Sequence, residues 1–382
     1  MMLYRLVAAM DRDRFENEVI SLTDIGPVGK QIQALGIPVS SVGISPSLPN
    51  PMRILNLISL LRKMRPDAVQ TWMLHGDLVG GIAAYLAGRT PVLWGIHHTT
   101  FDPAHTKWTS KATLRGCRAL ARRVPARIVC CSNASLKTCE ELGYERAKMV
   151  VIPNGFDLDQ FYRDEDGAAE VRAELGVEEE TPIIGLVARY HPQKDHNTFF
   201  EAAEMLLGKL PGAHFVLCGD GVTEDRPVFR EKLRRSRSAK SFHLLGRRND
   251  LRRMMSSFTV TTLTSAWGEA FPLVLGEAMC CEVPCVATDV GDSQRIVKGT
   301  GRAVPPRDPA ALRQAWLELL SLNETERRKL GKMARERIGR EWGLSTIASR
   351  YEALYEETVS VAGHKYGLAP KRANDMPSCA DL

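Results

Sequence analysis

The sequence predicts an α/β fold made of two parallel-sheet domains in succession, and three observations carry that expectation. A chain of 382 residues is longer than one ordinary hydrophobic core accommodates. Short apolar, β-branched-rich runs alternate with helical stretches along its length, as in parallel strands covered by helices on both faces. The alternation breaks once, at the turn cluster Pro153-Asn154-Gly155-Phe156-Asp157 and the acidic Asp164-Glu165-Asp166-Gly167, and then restarts.

Taken in order, Leu3–Met10 reads as the end of a helix. Strands are expected at Val19–Leu22, Val39–Val42, Ala68–Trp72, Val92–Ile96, Ile128–Cys131 and Met149–Ile152. After the break they recur at Ile183–Ala188, Phe215–Cys218, His243–Leu245, Val260–Ser265, Pro284–Thr288 and Arg302–Pro305. The first domain is therefore assigned to residues 1–153 and the second to 154–344. A last helix, 345–358, has Ile347, Tyr351, Leu354 and Tyr355 at helical spacing. Residues 363–382 are Gly, Pro and polar residues without periodicity and read as a disordered tail.

Composition narrows the class. Hydrophobic residues at 44% and charged residues at 25% mark a globular chain and exclude a disordered one. No apolar run approaches the ~18 residues of a spanning helix. The opening MMLYRLVAAMDRDRF lacks the apolar length and small-residue cleavage site of a signal peptide. Nine cysteines without C-x-x-C spacing, including the pairs Cys130-Cys131 and Cys280-Cys281 in apolar segments, read as buried thiols in a reducing compartment, with neither a zinc site nor a disulfide framework. The net charge is +6, and its placement is uneven. Lys107, Lys111, Arg115, Arg118 and Arg122 recur every three or four residues and share a helical face, with Trp108, Leu114, Cys117 and Ala121 available to cover other faces. Such a basic helix over 107–123 suits either solvent or an anionic membrane surface. The lack of interleaved aromatics or a recognisable binding motif argues against nucleic acid.

The most informative stretch is SAWGEAFPLVLGEA, from Ser265 to Ala278. A strand end, a Gly-Glu turn and a proline lead into a helix, with Pro272 expected at its first position. Glu269 then precedes the helix and Glu277 lies in its second turn, placing the two carboxylates roughly 8–12 Å apart at ~1.5 Å of rise per residue. The helix start supplies free N–H groups and a positive dipole for a diphosphate. One carboxylate is then available for sugar hydroxyls and the other for ribose hydroxyls. Upstream, the strand PIIGLVA leads to Arg189 and then Lys194, two cations able to neutralise a departing diphosphate without a metal. VLCGDG and FHLLGRRND end further strands at Gly219 and Gly246. LWGIHHTTFD places His97 and His98 directly after a strand, and His75 and Asp77 occupy another strand-end loop.

The Glu-x7-Glu spacing, the Arg189/Lys194 pair and the order Gly219, Gly246, Glu269, Glu277 resemble the retaining glycosyltransferases of family 4, over about Leu3 to Glu357. The resemblance implies a GT-B architecture, two Rossmann-like domains facing across a cleft, with the last helix crossing back onto the first. It implies a hexosyltransferase that moves a sugar from a nucleotide-diphosphate donor to a glycan or lipid-linked acceptor in cell-surface polysaccharide synthesis, at the cytoplasmic face of a membrane. In that reading Glu269 orients the transferred sugar, Arg189 and Lys194 grip the diphosphate, and His97 stands near the reacting sugar. Glu277, the glycines and the backbone of Ala270, Phe271, Pro272 and Leu273 hold the donor. Neither a metal nor a cofactor is required.

Two features depart from the pattern. Asp157-Leu158-Asp159 offers an Asp-x-Asp, but it follows the interdomain turn and is not read as a metal site. The family's first strand and glycine loop have no counterpart before Leu3, which implies either a start codon further upstream or a degenerate protein. The rival reading is a catalytically weak or silent nucleotide-sugar-binding subunit. A nucleotide-sugar epimerase on the same architecture would need acid/base residues that the sequence does not identify.

Overall fold

The computed structural model describes residues 2–44, 51–88, 90–99, 107–236 and 238–366. Each of the twelve expected strand segments contains a strand, trimmed or shifted by a residue or two. The second half holds one fully parallel sheet of Ile183–Val187 (β7), His214–Cys218 (β8), Phe242–Leu244 (β9), Val260–Leu263 (β10), Cys285–Thr288 (β11) and Arg302–Val304 (β12). Its order is β12-β11-β10-β7-β8-β9, so the winding direction reverses between β7 and β10. The central strands are buried on both faces, which explains why they read as near-continuous apolar runs.

In the first half, Val69–Gln70 (β3), Val92–Ile96 (β4), Arg127–Cys130 (β5) and Met149–Val151 (β6) form a four-stranded parallel sheet. Val19–Ser21 (β1) and Val39–Ser41 (β2) form a separate parallel pair. The sheet is thus in two pieces, with β1 and β3 each paired on one side only.

The Leu3–Met10 segment is helical, as Met2–Ala9, and is buried through Met2, Leu6 and Val7. It belongs to a core that runs through both halves, in which Met2 and Leu6 join Leu93, Val129 and Ile152 of the first half to Phe271, Leu275 and Trp342 of the second. Phe156 of the connecting segment is inserted in the same core, with a Phe271 ring-centroid distance of 6.0 Å.

The last helix is longer than its sequence suggests. It runs from Leu344 to Tyr366, past the expected end at 358 and into the segment expected to be disordered from 363. Thr358, which donates to the Leu354 carbonyl at 2.6 Å, and Ala362 are buried, so the apolar face continues one more turn. The remainder of that tail lies outside the described residues. The helix packs on the first half: Glu352 accepts from the Asp11 N–H at 2.8 Å, Arg350 donates to the Val151 carbonyl, and Tyr351 stacks on Trp72.

Candidate active site

The carboxyl ends of β7 and β10, where the sheet reverses direction, carry the residues singled out above. Parallel α/β sheets bind ligands at such a switch point, because the helices that follow its two strands diverge and leave a crevice. After β7 come exposed Arg189 and the short turn Pro192–Lys194. Asp195 follows in the left-handed region at φ 44° and caps the His196–Leu207 helix by accepting from the Thr198 N–H. The turn is stitched to the end of β10 by Thr264 donating to the Lys194 carbonyl at 2.7 Å and by the Ala266 N–H donating to the Gln193 carbonyl at 2.8 Å.

This stitching brings Lys194 onto Glu269. The ammonium and carboxylate form an ion pair, with side chains 19% and 10% exposed. Ser265 donates to the same carboxylate oxygen at 2.6 Å. Gly291, at φ 64°, lies so close behind that a Cβ would overlap the Glu269 carbonyl oxygen, and only glycine fits. Gly219 packs against the Ala188 carbonyl and Arg189 N–H in the same way, while its own N–H donates to the Gly246 carbonyl at 2.8 Å. Three strand ends carrying Arg189, Gly219 and Gly246 are thereby joined at one rim.

The helix expected after Pro272 is Leu273–Cys280, with Pro272 flanking it in extended geometry and not occupying its first helical position. The expected first position fails because a ψ of 113° at Pro272 is not helical. Ala270, Phe271 and Pro272 are buried, Leu273 and Glu277 partly so, and the helix start leaves first-turn N–H groups without intrahelical partners. Glu277 is in the second turn, as expected. It accepts from Arg5 at 2.6 Å, a contact spanning 272 positions of sequence.

The first half meets this site through β4. Thr99 donates to the Glu269 carbonyl at 2.9 Å, two residues beyond His97. His97 stacks on Trp72, with ring centroids 4.7 Å apart, and Asn154, whose side-chain amide donates to the Phe271 carbonyl, lies near it. Burial and the neighbouring His98 lower its pKa to about 4, so its imidazole is neutral and able to give or receive one hydrogen bond. Burial lowers His98 likewise. Asp77 is fully buried behind β4 and accepts from Thr71 Oγ1 at 2.6 Å and the Gly95 N–H at 3.1 Å, with its pKa raised to about 7 by burial. It supports the strand from inside, whereas His75 is exposed. Asp157 accepts from the Asp159 and Gln160 N–H groups and serves as a turn cap. Among the described residues no group of three or more metal-ligating side chains is assembled.

Residues 1–160 match the family described as Glycosyltransferase Family 4, and residues 181–322 match Glycosyl transferases group 1. The chain belongs to the family 4 glycosyltransferases. It is 29% identical over 248 residues to an Escherichia coli UDP-Gal:alpha-D-GlcNAc-diphosphoundecaprenol alpha-1,3-galactosyltransferase, covering 64% of this chain and 63% of that one. It is 28% identical to the Bacillus subtilis putative glycosyltransferase EpsF, covering 78% of each. Among solved structures, Anabaena HepE in complex with UDP superposes with a TM-score of 0.81 at 22% identity, covering 93% of this chain and 95% of that one. Sucrose-phosphate synthase of Thermosynechococcus elongatus follows at a TM-score of 0.74, 20% identity and coverage of 94% and 92%. The fold is the GT-B arrangement.

Five residues that contact this candidate site were not assigned a role from the sequence: Arg5, Thr99, Asn154, Ser265 and Asp292. Asp292 accepts from the Asn133 and Ala134 N–H groups of the first half, at 3.1 and 3.0 Å. Ser265 lay within the informative stretch and could have been read as a partner for Glu269 four residues on. The others reach partners more than a hundred positions away and leave no local signal.

Proposed function

We propose that this protein is a retaining glycosyltransferase that moves a hexose from a nucleotide-diphosphate donor to a glycan or lipid-linked acceptor in cell-envelope polysaccharide synthesis. The observation that carries the reading is the convergence of Lys194, Ser265 and Glu269 at the switch point of the second sheet, beside the start of the Leu273–Cys280 helix. Glu269, fixed by Lys194 and Ser265, orients the sugar through its hydroxyls. Lys194 and Arg189 bind the diphosphate and stabilise its departing charge, and Glu277 takes the ribose. The acceptor enters on the same face as the leaving phosphate, which draws its proton, while neutral His97 supports the sugar from the first domain. The protein's cations carry out the charge stabilisation without a metal. The lipid-diphosphate acceptor in the name of the Escherichia coli relative supports an acceptor of that chemistry.

The basic helix supports a membrane-bound setting at the cytoplasmic face. Over Trp108–Leu120 it buries Thr113 and Cys117. Lys107, Lys111, Arg115, Arg118 and Arg122 are exposed. Trp108, expected to help cover the helix, is instead 78% exposed beside these cations. Each cation near an anionic surface contributes about 1 kcal/mol, so sedimentation with anionic vesicles should exceed that with neutral ones and weaken with salt. Equal partition would return the face to solvent. No helix among the described residues is long and apolar enough to cross a membrane.

The deciding experiment is calorimetry with UDP, GDP and ADP together with transfer assays from the matching hexose donors. Glu277→Ala and Arg189→Ala should weaken nucleotide binding by about 1.5–3 kcal/mol, the worth of a charge-assisted hydrogen bond. Glu269→Ala should spare nucleotide binding and lose transfer. Unchanged affinity in Glu277→Ala would overturn the ribose assignment. Donor binding with neither transfer nor donor hydrolysis would make the chain a silent binding subunit.

A further inference from the structure

The donor residues all come from the second half, and the side chain of Glu277 takes a hydrogen bond from the first. Arg5, in the helix Met2–Ala9, is 3% exposed, and its Nη2 donates to Glu277 Oε1 at 2.6 Å. Met2 and Leu6 on the same helix are buried in the core shared by both halves, and the guanidinium carbon lies 5.6 Å from the Phe161 ring centroid. Arg5 Nε and Nη1 are buried without a hydrogen-bond partner. A guanidinium offers five donors in a rigid fork and cannot shed its charge, so burying it with unmet donors is unfavourable wherever adhesion alone is needed. The neighbouring Met2 and Leu6 provide adhesion with no such cost.

We infer that Arg5 is a positioning residue of the donor site, contributed by the opposite domain. The inference rests on the reading of Glu277 as the ribose carboxylate. By binding Oε1, Arg5 fixes the carboxylate rotamer and leaves Oε2 to accept from the ribose hydroxyls. The donor site is therefore complete only when the first helix is docked, and nucleotide affinity reports on the contact between the halves. Arg5 acts before the chemistry, on donor binding, so its loss raises the donor KM and leaves kcat near the parent value.

The test is calorimetry of UDP, GDP and ADP with the full chain and with Arg5→Met, Arg5→Gln, Arg5→Lys, Glu277→Gln and the double variant Arg5→Met/Glu277→Gln, alongside donor KM and kcat. The nucleotide bound most tightly by the parent is followed throughout. Arg5→Met and Arg5→Gln should each weaken it roughly tenfold, Arg5→Lys should recover part of the loss, and the double variant should bind no more weakly than the weaker single variant, because one removes what the other acts through. Thermal midpoints identify variants that fail to fold, and Arg5→Gln, which keeps the polar end, covers a failure of Arg5→Met. Full affinity in all Arg5 variants, or losses that multiply in the double variant, would overturn the role of Arg5 while leaving the donor site standing. A parent chain that binds none of the three nucleotides, or a Glu277→Gln chain that binds normally, would overturn the ribose reading itself and the inference with it.

Discussion

Replacing Lys194 by Met tests the centre of the site most directly. It removes the ammonium from Glu269 and leaves a carboxylate whose side chain is only 10% exposed, held by the Ser265 hydroxyl alone. Breaking a fully buried ion pair costs about 3–5 kcal/mol and an exposed one about 0.2–1 kcal/mol. Lys194 keeps about a fifth of its side chain in water, so the structure places this pair between the two limits. A loss of about 2–3 kcal/mol is expected, which for a domain near 190 residues lowers Tm by roughly 4–12 °C. Lys194→Met/Glu269→Gln removes the uncompensated charge and should recover at least half of that loss. Differential scanning calorimetry of the two single variants and the double variant measures the coupling directly. Added nucleotide sharpens the reading: whichever of UDP, GDP and ADP the parent binds should, at 100 times Kd, stabilise it by about 2.7 kcal/mol, and at the same concentration stabilise Lys194→Met by less. A Lys194→Met Tm within one degree of the parent, or a double variant destabilised by the sum of the two singles, would refute the reasoning.

Further expectations concern the support of the site. Burial raises the Asp77 pKa to about 7 from an unfolded value near 3.8, so the folded chain holds a proton that the unfolded chain releases, and this group's contribution falls as pH rises from about 4 to 7. Asp77→Asn should therefore gain in Tm relative to the parent between pH 5 and pH 8, and a difference independent of pH would refute the assignment. Gly276→Ala would drive a Cβ into the Phe156 ring, which is buried against Phe271. Overpacking should outweigh the helix-propensity gain, lowering stability by about 1–2 kcal/mol and weakening nucleotide binding, with a rise in Tm as the contrary result. Transfer should persist in EDTA, and its complete loss with recovery on adding magnesium or manganese would contradict charge stabilisation by Arg189 and Lys194.

Much of the fold was legible in the sequence because the relevant signals are local. A parallel strand buried on both faces requires a run of apolar residues within a handful of positions, and β4 and β7 carry such runs as VLWGI and IIGLV. The strand-end glycines and Glu269-Pro272-Glu277 likewise lie within single strand–loop–helix units, whereas the return of β10 to the side of β7, which sets Glu269 beside Lys194, is not written in any one of them. The extent of the C-terminal helix was not legible, because its last turn is held by tertiary burial of Thr358 and Ala362 and carries only a weak periodic signal. The exposure of Trp108 was hidden for the converse reason: its apolar character suggested burial, whereas at ~100° per residue it stands on the helix side away from the buried Thr113 and Cys117.

By itself, then, the sequence determined which segments are strands and which side chains stand at the strand ends. Tertiary structure alone decided that Arg5 meets Glu277 across 272 positions, that Thr99 holds the Glu269 backbone across 170, and that Asp292 receives the N–H groups that begin the Asn133–Glu141 helix. Local patterning specifies each strand and helix through its own residues. The pairing of distant charges depends on how two separately encoded domains settle against their shared apolar core, and no residue near Arg5 in the chain carries that information.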